Sequence, residues 1–146
     1  MARFGDLYSD GRPTLRLDAE ELGKILMDVD DKIIVVPAHI WTPWFSLFGA
    51  NSGFDSVEEC FGEVTKFIYA LETGLSSDPA MNWQVSALDR FTLISNSDAH
   101  SPQNLAREAN VFSSSLDYHQ LREVLTGKEK DLFLYTVEFF PQEGKY

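Results

Sequence analysis

The chain has 146 residues, of which 44% are hydrophobic and 13% aromatic, so it can form the core of one domain or one piece of a larger domain. Its single cysteine, Cys60, excludes an internal disulfide, and no stretch approaches the roughly 20 apolar residues of a membrane helix. With 23 acidic and 12 basic residues the net charge is -11, which disfavours a nucleic-acid surface built from this chain's own side chains.

The first half of the chain alternates between predicted helices and strands. A helix is predicted over residues 18–28, where Leu22, Ile25 and Leu26 share one face and Asp18 caps the first turn. A β-branched strand at 32–37 follows, and then a loop rich in aromatic residues from 41 to 54. A helix at 56–63 and a strand at 66–71 complete this half.

The second half continues the same alternation. We predict a helix at 78–87, a strand at 90–95, a short helix at 102–107 and a strand at 110–113. A helix at 117–126 ends at Gly127, and a last strand covers 132–139. The pattern predicts an α/β fold whose strands are mostly parallel.

Polar side chains that can bind metals follow three of the predicted strands. His39 follows the first, Glu72 the second, and Asp98 and His100 the third. Ligands of parallel sheets gather at the carboxyl ends of the strands. Asp98 and His100 are two residues apart and would point to the same side of an extended chain, a pair that suits Zn²⁺, Mn²⁺ or Fe²⁺.

Each of these residues also has a purely structural explanation. The segment around Asp98 is rich in turn-forming residues, and a lone histidine such as His39 is more often a buried side chain than a ligand. Glu72 could bind a metal, orient a ligand histidine or cap a helix, and we favour the orienting role. His119 lies on the exposed side of a predicted helix and is expected at the surface.

The remaining distinctive residues are aromatic or sulfur-containing. Trp41 and Trp44 follow His39 and either cover the site or pack the loop, and packing is more common than base stacking. Cys60 is expected to be a small core residue. The sequence contains no Gly-rich phosphate loop, Walker motif or Ser-His-Asp arrangement, so ATP hydrolysis is not expected.

Several of these segments resemble motifs of the PHP (polymerase and histidinol phosphatase) superfamily of metal-dependent phosphoesterases. The matching runs are residues 36–39 (VPAH), 71–74 (LETG) and 94–101 (ISNSDAHS). Longer runs are similar to the endonuclease Q branch, whose members have been labelled UvrD-like helicase paralogues. These runs are residues 10–13 (DGRP), 37–44 (PAHIWTPW), 54–56 (FDS), 72–78 (ETGLSSD), 95–102 (SNSDAHSP) and 105–110 (LAREAN).

The resemblance implies a distorted (β/α)7 barrel with a cluster of divalent metal ions, Zn²⁺, Mn²⁺ or Mg²⁺, at the carboxyl ends of its strands. It implies hydrolysis of phosphodiesters in DNA that carries deaminated bases. His39, Asp98 and His100 would be metal ligands, and Asp98 would also assist proton transfer.

The chain departs from that family in one respect. PHP domains open with a His-x-His motif, and this sequence has none. We therefore expect residues 1–146 to be a single partial PHP domain, the carboxy-terminal half of the barrel. Such a half would have weak DNA affinity and little activity alone, and would associate with itself or with an amino-terminal half.

Two functions from different classes remain at this point. The first is part of a metal-dependent phosphoesterase, and the second is a non-catalytic binding or assembly domain of a DNA-repair protein. Residues 1–6 lack the features of a signal peptide, and the single cysteine fits a reducing compartment. We expect a cytoplasmic protein without a membrane partner.

Overall fold

The computed structural model describes residues 2–8, 14–115 and 117–143, and the DGRP run at 10–13 lies outside them. The helices are α1 (Ala19–Val29), α2 (Val57–Phe61), α3 (Pro79–Asn82) and α4 (Tyr118–Leu125). The strands are β1 (Gly5–Asp6), β2 (Thr14–Leu15), β3 (Ala70–Glu72), β4 (Thr92–Ile94), β5 (Ala109–Phe112) and β6 (Phe133–Val137).

The strands form three two-stranded sheets within the described residues. β3 and β4 are parallel, with Leu71 opposite Leu93 and Glu72 opposite Ile94, which confirms the predicted parallel direction for these two strands. β1–β2 and β5–β6 are antiparallel, so the parallel prediction is wrong for β5 and β6. The architecture is mixed helix and strand, and the described part contains no closed sheet, so the (β/α)7 barrel stays a prediction.

The strand predicted at 32–37 is wrong as a regular strand. It makes one isolated parallel bridge, between Val35 and Ile68. Further along, the carbonyl of Pro37 accepts a hydrogen bond from the Glu72 amide at 3.0 Å. Proline has no amide proton, so the segment cannot continue a full ladder along β3. It still runs beside β3 and delivers residue 39 to the end of that strand.

The predicted helices have correct positions but several are shorter than expected. Asp18 caps α1 through a reciprocal capping box with Glu21, as the sequence predicts. The helix at 56–63 ends at Phe61 and continues as a 3-10 helix, Gly62–Phe67, which delays β3. The helices predicted at 78–87 and 102–107 reduce to α3 with a 3-10 turn and to one 3-10 turn, Pro102–Asn104.

Two apolar clusters support the parallel pair. The larger lies between α2, β3 and the segment after residue 39, and the smaller lies beside β4 and α4. Gly23 of α1 lets that helix approach Val64, because an added Cβ would lie 2.6 Å from a Val64 methyl group. The predicted apolar face of α1 (Leu22, Ile25 and Leu26) is only half-buried. The core therefore fixes where β3 and β4 end.

Candidate functional site

Three segments of the chain meet where β3 and β4 end. Glu72 closes β3 opposite Ile94, the last residue of β4. The Thr73 amide and hydroxyl both donate to the Ile94 carbonyl, at 3.0 and 3.2 Å. The Ile40 amide donates to the Glu72 carbonyl at 3.0 Å. Residues after position 38, after β3 and after β4 therefore leave the sheet at one edge.

His39 is held at this edge by its backbone. Its amide donates to Glu72 Oε2 at 2.5 Å, and its φ of 34° lies in the left-handed region. The Thr42 hydroxyl lies 3.1 Å from the His39 Nδ1 atom. A ring nitrogen bonded at Nδ1 leaves Nε2 as the atom that can bind a ligand. The Glu72 carboxylate contacts the backbone of His39 and not its ring, and the favoured role of Glu72 in orienting a ligand histidine stays a prediction.

Gly74 allows the close approach of the two segments. Its φ is +75°, and a Cβ built on it would lie 2.9 Å from both Cα and Cβ of His39. Such a contact is shorter than carbon atoms tolerate, and the left-handed backbone adds strain for any residue with a side chain. Glycine at position 74 therefore sets the position of His39.

Asp98 and His100 lie together on the loop that follows β4. The His100 Nδ1 atom is 3.9 Å from an Asp98 carboxylate oxygen and 2.9 Å from the Asp98 carbonyl oxygen. An Nδ1–H that donates to this carbonyl would leave Nε2 free for a ligand. Both side chains are about half exposed, at 46% for Asp98 and 58% for His100.

Arg107 and Asn110, which were not among the predicted site residues, hold this loop through hydrogen bonds to its backbone. Arg107 donates from Nε to the Ser97 carbonyl at 2.8 Å. Asn110 bonds both backbone groups of Ser95, accepting from its amide at 2.9 Å and donating to its carbonyl at 2.7 Å. The partners are 10 to 15 residues apart in the chain, so residue periodicity does not predict these contacts, although both residues lie in the run 105–110.

Buried carboxylates lie beneath the same edge. Glu72 is 4% exposed, and its Oε1 atom has no hydrogen-bond partner. Glu108 is 2% exposed and accepts from the Ser95 hydroxyl at 2.7 Å and from the Phe139 amide at 3.2 Å. Burial raises the pKa of both carboxyl groups. Glu138 Oε2 is also buried without a partner.

The donor chemistry fits a divalent cation, but the described residues do not complete a coordination shell. Imidazole and carboxylate groups are suitable ligands, and the free Oε1 of Glu72 is a buried oxygen with unused bonding capacity. Glu72 lies close enough to His39 and Asp98 for electrostatic interactions with both residues to affect its pKa. In residues 2–8, 14–115 and 117–143, however, no three His, Cys, Asp or Glu side chains are grouped so that they could hold one ion.

The other singled-out residues behave as structural or surface groups. His119 is exposed on α4. Cys60 is half-buried against the larger apolar cluster, and burial raises the pKa of its thiol to about 11. Trp41 packs inward, where its Nε1 donates to Asn82 Oδ1 at 2.8 Å. None of the helices in the described segments is long and apolar enough to cross a membrane.

Comparison with known proteins links the chain to longer ones. No family model matches it. It is 30% identical over 152 residues to the uncharacterized protein YqxK of Bacillus subtilis, a match that spans the whole chain and 38% of that protein. It is 40% identical over 115 residues to an uncharacterized protein of Methanocaldococcus jannaschii, covering 75% of the chain and 13% of that protein.

Two solved structures share its fold. One is the lesion-specific endonuclease PfuEndoQ of Pyrococcus furiosus, and the other is endonuclease Q in complex with a 27-mer duplex substrate that has an abasic lesion at the active site. Each superposes with a TM-score of 0.82 and 32% sequence identity, over 99% of this chain and 36% of the solved chain. The chain therefore spans less than two-fifths of these relatives and is similar in sequence and structure to one segment of endonuclease Q.

Proposed function

We propose that the chain forms part of the catalytic domain of a PHP-type, metal-dependent endonuclease that acts on DNA with deaminated bases. The observation that carries the proposal is the junction of His39, Glu72 and the Asp98–His100 loop at one edge of a parallel strand pair. Similarity to a lesion-specific endonuclease over 99% of the chain supports the endonuclease part of this proposal.

Each residue has a defined task in this proposal. His39 and His100 present their Nε2 atoms, and Asp98 a carboxylate, as ligands of a divalent cation, and Glu72 fixes the backbone of His39. A bound divalent cation would lower the pKa of a water molecule and neutralise charge on the phosphate. The half-exposed carboxylate of Asp98 would also accept a proton from the attacking water.

The reaction is a hydrolysis. The oxygen of water forms a bond to phosphorus, the bond from phosphorus to the leaving sugar oxygen breaks, and that oxygen takes up a proton. The acidic chain contributes little positive charge to this process, because 23 acidic side chains face 12 basic ones. We infer that the remaining ligands and most of the DNA affinity come from other parts of a longer protein or from an associated copy.

A metal titration tests the ligand assignment. Calorimetric titration of the chain with Zn²⁺ or Mn²⁺ should show a binding step that the variant His100→Ala loses. The matched control is His119→Ala, which removes an exposed histidine on α4 and should leave the isotherm unchanged. Identical isotherms for the wild type and His100→Ala would remove His100 from the site.

A nuclease assay tests the enzymatic part. We expect the purified chain to cut a duplex with a uracil or deoxyinosine base weakly or not at all in Mn²⁺, because the described residues do not gather three ligands. That incomplete ligand set also favours a second candidate, a non-catalytic binding or assembly domain. Elemental analysis separates the two, since stoichiometric metal supports the phosphoesterase and its absence supports the binding domain.

A further inference from the structure

The segment that carries His39 is free of charged side chains. Residues 33–54 contain no Asp, Glu, Lys or Arg, in a chain whose net charge is -11. Phosphate groups approaching an acidic protein meet repulsion that grows as the separation falls below a Debye length of about 10 Å. This segment is therefore a part of the surface that a polyanion can approach without meeting carboxylates from the segment itself.

Residues 41–54 form a compact loop, called here the aromatic loop. Backbone hydrogen bonds cross it from Phe48 to Ile40 at 2.8 Å and from Asn51 to Pro43 at 3.0 Å. The Phe45 amide also donates to the Ser52 hydroxyl at 2.9 Å. These cross-links give the loop a fixed shape, so that side chains at its tip have defined directions.

The loop divides its aromatic side chains into two groups. Trp41 and Phe48 pack against each other with their ring centroids 5.0 Å apart, beside the apolar core. Trp44 and Phe45 instead face solvent, with 56% and 89% of their surface exposed. Phe45 also has a φ of 57°, a strained conformation for a residue with a side chain. Trp41 and Phe48 are therefore packed against the protein, whereas Trp44 and Phe45 remain exposed to solvent.

The outward pair is connected directly to the candidate site. The Thr42 hydroxyl lies 3.1 Å from His39 Nδ1 and 3.0 Å from the Trp44 carbonyl oxygen, to which it donates. One side chain therefore contacts both the proposed ligand and the residue next to Phe45. A group that binds Trp44 or Phe45 would therefore have a fixed position relative to His39.

We propose that Phe45, together with Trp44, is a base-stacking element that contacts DNA bases at the lesion. The proposal rests on the proposed function, because it takes DNA as the substrate of the site. An aromatic face binds any base without a charge of its own, so stacking suits a surface that lacks lysine and arginine. A duplex with a missing base offers such a ring an unfilled position in the stack.

The test measures binding of the 146-residue chain to a fluorescein-labelled duplex with one abasic site, in Mn²⁺ buffer, by anisotropy. The wild type should prefer this duplex to the same duplex without the lesion. Phe45→Ala should bind it roughly tenfold more weakly, the loss expected for one stacked base. Phe45→Tyr should restore affinity, whereas Phe45→Leu, which keeps apolar bulk without a ring, should not.

A matched control and a spectroscopic readout separate stacking from a loss of fold. Tyr8→Ala removes an aromatic side chain of similar exposure, 91%, outside the aromatic loop and should leave binding unchanged. With 2-aminopurine placed opposite the abasic site, the wild type should quench its fluorescence and Phe45→Ala should not. Circular dichroism spectra of all variants should superpose.

The possible outcomes test the stacking role of Phe45 separately from the proposed function. If the wild type binds the abasic duplex and Phe45→Ala binds it equally well, the stacking role is overturned and the proposed function stands. If the wild type shows no affinity for either duplex, the stacking inference is overturned, whereas the proposed function, which assigns most of the DNA affinity to other parts of a longer protein, is tested by the metal titration. Equal rescue by Phe45→Leu and Phe45→Tyr would replace base stacking by simple apolar contact and also reject the inference.

Discussion

The side chain of Glu72 and the backbone of His39 are joined by a 2.5 Å hydrogen bond between positions 33 residues apart in the chain. The bond connects the last residue of β3 to the segment beside it. Since Glu72 is 4% exposed, water cannot easily replace either partner. This hydrogen bond therefore fixes the backbone of His39, a candidate metal ligand, at the end of β3.

Removing the Glu72 side chain should loosen this junction. Glu72→Ala leaves the His39 amide without its acceptor, and we expect the free energy of unfolding to fall by about 1–3 kcal/mol. Glu72→Gln keeps an acceptor oxygen for the His39 amide but carries no charge. Burial disfavours the charged form of Glu72 and so raises its pKa, and the glutamine variant should therefore be at least as stable as the wild type. Urea unfolding measures both, and equal destabilisation by Gln and Ala would contradict the bond's role.

Gly74 should be intolerant of even the smallest side chain. In Gly74→Ala the added methyl group would lie 2.9 Å from Cα and Cβ of His39, and the φ of +75° adds backbone strain. A left-handed non-glycine residue alone costs about 1–2 kcal/mol, and the clash should add to that. Thermal unfolding tests this against Gly127→Ala, which has a φ of +79° but contacts only the flexible Lys130 side chain. Equal losses would mean that the clash with His39 is relieved.

Arg107 should position the Asp98 loop through the backbone carbonyl groups of Ser97 and Asp98. Its guanidinium donates to the Ser97 carbonyl at 2.8 Å and lies 3.5 Å from the Asp98 carbonyl oxygen. If Asp98 and His100 bind a cation, Arg107→Ala should weaken Zn²⁺ affinity about tenfold, as loss of a supporting contact does in metal sites. Arg90→Ala, which removes an exposed arginine paired with Glu58, is the control. An unchanged affinity in Arg107→Ala would exclude the positioning role.

Local signals in the sequence were sufficient for part of the fold. Asp18 is a helix cap that the sequence identifies, and α1 begins directly after it. The helix predicted at 117–126 is α4, which begins one residue later, at Tyr118, with Asp117 as its cap. The predicted strands are longer than the observed ones, because a run of β-branched residues favours an extended backbone but does not show whether each residue has a pairing partner. Pro37 interrupts the ladder at 32–37, and the antiparallel pairing of β5 with β6 depends on partners distant in sequence.

For the candidate site, the sequence identified the side chains but not their supports. The sequence predicted that Glu72 and Asp98 follow strands that are successive in the chain, and the structure shows that those strands, β3 and β4, pair in parallel. The bracing groups Glu108 and Asn110 act on Ser95 over 13 and 15 residues. Such contacts follow from tertiary packing and leave no periodic signal in the chain. The convergence of His39, Asp98 and His100 on one metal stays a prediction.

The thiol of Cys60 should react slowly in the folded chain. Burial, followed by the charges of Asp18 and Glu59, raises its pKa to about 11. At pH 8 only roughly one thiol in a thousand would be ionised, and the thiolate is the reactive form. Reaction with a disulfide reagent should therefore be slow at pH 8 and should become fast in denaturing urea. Rapid labelling of the folded chain at pH 8 would contradict a core role for Cys60.

Glu108 should make the folded chain less stable as the pH rises. Burial raises its pKa, and the neighbouring carboxylates of Glu138 and Glu72 raise it further, so the folded state holds the proton at a pH where the unfolded chain has lost it. The resulting stability is complete below the unfolded pKa of about 4.3 and is lost as the pH rises through the higher folded pKa.

Urea unfolding from pH 4 to pH 8 should show that Glu108→Gln declines less with pH than the wild type, because it removes this titration. The control, Glu58→Gln, has the opposite sign. Hydrogen bonds from its own backbone amide and from Arg90 lower the pKa of Glu58, so its contribution is present at neutral pH and is lost as the pH falls. If the Glu108→Gln profile were parallel to that of the wild type, the buried carboxyl would not be coupled to folding.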